Sequence, residues 1–103
     1  MIQALLKSGK RFNASNLTVY RDESLSPSTG IYQVAFLVGS RAGNAVTRNR
    51  IKRWMREDFR MLQDKDKIDG GFIVRFKGNG GEIDHPMLSK ELEMIYKSIN
   101  INE

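Results

Sequence analysis

Apolar and polar residues first alternate at 17–21, where Leu17 and Val19 are interleaved with Thr18 and Tyr20. A period of two marks a strand with one buried face. A second strand is expected over 31–38, with Tyr32, Val34, Phe36 and Val38 on one side and Gln33, Ala35 and Leu37 on the other. Residues 22–30, which include Ser26-Pro27-Ser28-Thr29-Gly30, read as the turn between them, so the two strands are expected to form a hairpin. Phe72-Ile73-Val74-Arg75-Phe76-Lys77 reads as a third strand.

From Ala45 the period changes. At 100° per residue, Ile51, Trp54, Met55, Phe59 and Leu62 share one broad arc of a helix over 45–62, and Asn44 is its expected N-cap. A last helix is expected from His85 to about Ile99, capped by Asp84, with Pro86 in its first turn and an apolar seam of Leu88, Leu92, Ile95 and Ile99. The apolar start, Ile2 and Ala4-Leu5-Leu6, suggests a short first helix ended by Gly9. The expected order is α-β-β-α-β-α, in a single domain spanning residues 1–103.

Charge sharpens the middle helix. The net charge is +5, and residues 48–60 hold six bases (Arg48, Arg50, Lys52, Arg53, Arg56, Arg60) against two acids, Glu57 and Asp58. Asn49, Lys52, Arg53, Arg56 and Arg60 gather on the arc opposite the apolar one, with Arg48 and Arg50 at its flanks. Ordinary surface helices interleave acids and bases as i,i+4 pairs. A stripe of cations without acids repels itself unless a polyanion neutralises it, and guanidinium forks suit phosphate. Asp58 projects instead toward the apolar arc, with no partner evident in the sequence.

Other features exclude chemistry. With no cysteine, disulfides and thiolate metal sites are impossible. The first residues do not read as a secretory leader and no run approaches about 20 apolar residues, so a cytoplasmic protein is expected. His85 is the one histidine; beside Asp84 and near Glu82 it allows a metal or general-base reading, although a helix-start position of this kind more often serves capping. Gly78-Asn79-Gly80-Gly81 lacks the Lys-Ser/Thr of a P-loop and reads as a flexible turn. Phe12, Tyr20 and Tyr32 are core aromatics or, where exposed, stacking platforms for unpaired bases. A general RNA-binding protein and a free-standing nuclease using Glu82, Asp84 and His85 remain alternatives at this level.

Residues 43–60, G-N-A-V-T-R-N-R-I-K-R-W-M-R-E-D-F-R, closely resemble the signature of the bacterial ribonuclease P protein family. Lys7-Ser8-Gly9-Lys10-Arg11-Phe12 and Leu17-Thr18-Val19-Tyr20 resemble its earlier segments, and the likeness runs over about residues 5–99. It implies an α/β two-layer sandwich similar to the second domain of ribosomal protein S5, with a left-handed β-α-β crossover through the basic helix. It further implies that Arg41, Arg48, Asn49, Arg50, Lys52, Arg53, Arg56 and Arg60 contact RNA. Tyr20, on the sheet face beside the helix, Phe12 and Asn49 would meet the single-stranded 5′ leader of precursor tRNA. The implied partners are the catalytic RNA and precursor tRNA, with no membrane and no obligate protein partner. Mg²⁺, held mainly by the RNA, would be the cofactor, and no protein side chain would be catalytic. The chain departs from the family pattern at Ile2 and Leu6, where leader-contacting phenylalanines are common, at Gly39 and Ser40, and at Trp54 and Asp58.

Overall fold

The computed structural model describes residues 10–22, 32–66 and 70–101. The expected first helix, with Ile2 and Leu6, and most of the 22–30 turn lie outside them. Four strands form one sheet: β1 (Lys10–Asn13), β2 (Leu17–Asp22), β3 (Tyr32–Val38) and β4 (Gly70–Phe76), in the spatial order β1-β2-β4-β3. Helix α1 (Ala45–Lys65) follows a short 3-10 turn at Ser40–Ala42, and α2 (His85–Ile101) ends the described chain.

The expected β2–β3 hairpin does not form, because β4 lies between the two strands, antiparallel to β2 and parallel to β3. The composition of β4 accounts for this. Phe72-Ile73-Val74 is apolar on both faces, and every residue of β4 except Arg75 is buried. Such a strand belongs at the centre, whereas alternating strands suit positions beside it. β3, α1 and β4 thus make a β-α-β unit with parallel strands. The strand β1 was not expected, since Lys10-Arg11-Phe12-Asn13 has one apolar residue; it pairs with β2 as a charged edge.

Register sorts side chains between two faces. Leu17, Val19, Val34, Phe36 and Val38 join Phe72, Val74 and Phe76 in the main core with Ile51, Met55 and Phe59 of α1 and Leu88, Leu92, Ile95, Tyr96 and Ile99 of α2. Both helices therefore cover one side of the sheet, which is a two-layer α/β arrangement. Phe59 is the hub, edge-on to Phe36, Phe72 and Tyr96 at centroid distances of 6.1, 5.3 and 5.8 Å. On the other side, Tyr20 and Ile73 form a smaller buried cluster with Ala35 and Leu37.

Candidate nucleic-acid interface

The basic helix is set at its start by local chemistry. The Asn44 side chain accepts a hydrogen bond from the Thr47 N–H at 2.9 Å, as expected for an N-cap. Gly43 turns the chain into the helix at φ 138°, where a side chain would also press on Thr47. Gly80 donates its N–H to the Ala42 carbonyl at 2.9 Å, and a Cβ there would sit 2.4 Å from that oxygen. The Gly-rich loop, a turn as expected, is thus fastened against the helix entrance at Gly80.

Along α1 the two arcs separate as the periodicity predicts. Ile51, Met55 and Phe59 are buried, Trp54 and Leu62 pack partly against the core, and Gln63 is also buried. Asn49, Arg50, Arg53, Arg56 and Arg60 are exposed, while Arg48 and Lys52 are half-buried. Arg41, in the 3-10 turn just before the helix, is exposed as well. Among the described residues, none of these seven cations makes an ion pair. Arg48 keeps its Nε enclosed without a hydrogen-bond partner among the described residues. Arg56 and Arg60 also line a cleft of about 360 Å³ against Val34 and Phe36 of β3.

The acid that had no account now has one. Asp58 sits with its side chain 12% exposed, its Oδ1 3.1 Å from His85 Nε2, and it accepts a hydrogen bond from Ser89 Oγ at 2.6 Å. The His85 imidazole stacks on Trp54, centroids 5.0 Å apart and planes within 5°. Trp54 and Asp58 are four residues apart on α1, and His85 and Ser89 four apart on α2, so each pair presents one face of its helix to the other. The Arg50 guanidinium lies 5.2 Å from the Trp54 ring centroid and links this seam to the basic stripe. Asp84, rather than His85, caps α2, its Oδ1 accepting from the Met87 N–H at 2.9 Å. Glu82 is exposed. Asp84 and His85 thus serve different neighbours while the Glu82 side chain stands exposed, and no group of three or more acids, histidines or cysteines able to hold a metal occurs among the described residues.

The three residues expected to meet the leader are not brought together. The register pairs Arg11 with Tyr20 and Phe12 with Val19. Tyr20 therefore lies on the sheet face away from both described helices, not on the one beside α1, and is only 9% exposed. Phe12 is half-buried on the helix side, next to Met94 and Ile95 of α2. Asn49 stands on exposed α1. Arg75, which sequence reasoning passed over, is exposed on the Tyr20 face opposite Thr18 and Leu37. Its signal was available: it is the single charged residue inside an apolar strand.

The model of the family described as Ribonuclease P matches residues 1–100. The ribonuclease P protein component of Macrococcus caseolyticus is 33% identical, the match covering 92% of this chain and 80% of that one. That of Syntrophus aciditrophicus is 30% identical over 88% of this chain and 74% of its own length. Among solved structures, the Staphylococcus aureus RNase P protein superposes with a TM-score of 0.75 at 26% identity, covering 95% of this chain and 87% of that one. The Thermotoga maritima RNase P protein, at 19% identity, shares the fold with a TM-score of 0.77 over 93% and 89% of the two chains. With a match over nearly its whole length, its basic helix included, the chain belongs to the ribonuclease P protein family.

Proposed function

We propose that this chain is the protein subunit of a ribonuclease P ribonucleoprotein, binding the catalytic RNA and precursor tRNA and promoting endonucleolytic removal of the 5′ leader. Family membership supports a part in tRNA 5′ processing with an RNA partner. The observation that carries the finer reading is the exposed face of α1, where Arg50, Arg53, Arg56 and Arg60 stand with no acid paired to them among the described residues.

Each guanidinium offers a planar fork of donors to a phosphate, and each contact releases condensed counterions, so affinity falls with salt. Asn49 adds an amide able to donate to a phosphate or read a base edge. The buried arc of α1 holds these groups at fixed spacing, so the ordering cost is met largely by folding rather than on binding. Mg²⁺ held by the RNA subunit would activate the water that attacks the phosphodiester. The protein contributes affinity and screens two polyanions from each other, and no side chain is assigned a catalytic part.

Cleavage of a precursor with a 5′ leader tests this reading. Protein alone should give none, and protein added to ribonuclease P RNA at low Mg²⁺ should accelerate it. Cleavage by protein alone would favour the nuclease alternative, and absence of stimulation would remove the subunit role.

A further inference from the structure

The sheet has two edge strands, and they are guarded differently. β1 exposes Lys10, Arg11 and Asn13 within four residues, a short charged edge that discourages a further strand. β3 is seven residues long, Tyr32–Val38, with neither a charge nor a proline. One side of its backbone pairs with β4, and no described strand pairs with the other. Val34, Ala35, Phe36, Leu37 and Val38 are all half-buried. An edge of this kind is a template for one more strand.

Helix α1 overhangs this edge. The cleft of about 360 Å³ lies between Val34 and Phe36, on the helix side of β3, and Arg56, Phe59 and Arg60 of α1. A strand added to β3 would run about 4.8 Å outside it, along the mouth of that cleft. Its alternate side chains, about 6.6 Å apart, match Arg56 and Arg60, which are about 6 Å apart along the helix axis. Both guanidiniums are exposed, and neither has an ion-pair partner among the described residues. A side chain entering there meets apolar surface first and a guanidinium beyond it. Glutamate, with two methylenes below its carboxylate, suits both. The alternate side chains would lie beside Ala35 and Leu37 on the other face, where β-branched residues fit. A second copy of this chain is disfavoured, because antiparallel β3–β3 pairing would set the two α1 stripes against each other, cation to cation.

We propose that the outer edge of β3 and the overhanging face of α1 form a docking site for an extended acidic segment of a partner protein, in which glutamates facing Arg56 and Arg60 alternate with β-branched residues. Backbone hydrogen bonds supply the affinity, and two carboxylate–guanidinium pairs select the segment. The same two arginines belong to the RNA-facing stripe, so an occupied edge excludes RNA from that part of α1. This competition, unlike the docking itself, rests on the proposed function.

The full-length chain is titrated with a short capped peptide of alternating glutamate and valine while hydrogen exchange of its backbone amides is followed. With free peptide at about ten times its Kd, exchange at the β3 amides not bonded to β4 should slow about tenfold, and β1 should be unchanged. Arg56→Ala with Arg60→Ala should weaken peptide binding by about 2- to 30-fold. Peptides N-methylated at every valine or at every glutamate block opposite edges of the added strand, so one should bind and the other should not; the same result with both overturns strand addition. A lysine–valine peptide that protects β3 equally would remove the charge selection and the docking site with it. Protection of β3 by ribonuclease P RNA but not by the peptide would give the edge to RNA and overturn the proposal. Ribonuclease P RNA should displace the peptide, and simultaneous binding would overturn the exclusion. Peptide docking on a protein that fails to bind the RNA would leave the docking site standing and overturn the proposed function.

Discussion

Helix α1 presents two faces that come from the same turns but are maintained by opposite means. Ile51, Met55 and Phe59 are enclosed by the sheet and α2, whereas Arg53, Arg56 and Arg60 stand in solvent with no acid paired to them among the described residues. Removing a buried side chain costs transfer and cavity energy; removing an exposed cation costs the fold almost nothing. The self-repulsion of the stripe is therefore tolerable because the opposite arc anchors the helix. Stability and RNA affinity should then be separable on one element, residue by residue.

The largest break in that contrast is expected at the hub. Phe59→Ala removes three edge-on ring contacts and should lower unfolding free energy by about 3–5 kcal/mol in urea titration. RNA affinity should follow only as the folded fraction falls. The converse substitution, Arg53→Ala with Arg56→Ala, should move stability by no more than about 0.5 kcal/mol per site. It should flatten the salt dependence of RNA affinity by roughly 0.9 per lost duplex-like contact. Equal loss of stability in the two variants would show that the faces are not independent.

How far this division was legible follows from which contacts are local. Within α1 the arcs, the Asn44 cap and the basic stripe depend on spacing along one helix, and spacing is written in the sequence. The same holds for the Asp84 cap and the Leu88–Ile99 seam of α2. The β2–β3 hairpin failed because alternation shows that a strand has two faces but not which strand lies beside it; the two-sided apolar character of β4 was the overlooked clue. Phe12 was misplaced relative to Tyr20 for want of register, which required the edge strand β1. Asp58 and His85 are 27 positions apart, and their meeting depends on how two helices pack, which no local pattern encodes.

That meeting defines a third kind of surface on α1, between core and stripe. Asp58→Ala leaves Ser89 and His85 without their shared acceptor in a largely enclosed site and should cost about 1–3 kcal/mol. Because Asp58 faces α2, the salt slope of RNA binding should stay at the wild-type value. His85→Ala removes the stack and one polar contact, and a loss of about 1–2 kcal/mol is expected, with reconstituted cleavage intact wherever the protein is folded. A large loss of cleavage by folded His85→Ala protein would return the histidine to a functional role.

The smallest and most informative effect is where seam and stripe touch. Arg50 rests over Trp54, and Trp54 stacks on His85, so the seam bears on the position of one RNA-facing cation. An exposed guanidinium over a half-buried indole gains about 0.5–1 kcal/mol. A double-mutant cycle on stability, using Arg50→Ala and Trp54→Leu, should return a coupling of that size, since the two side chains are in direct contact. The same cycle on RNA affinity decides more. If Trp54 holds Arg50 for phosphate, Trp54→Leu should weaken RNA binding only while Arg50 is present, and the salt slope should be unchanged because no charge is lost. Additive effects on affinity would mean that the stripe acts through its charges alone and that the seam serves only to join the helices.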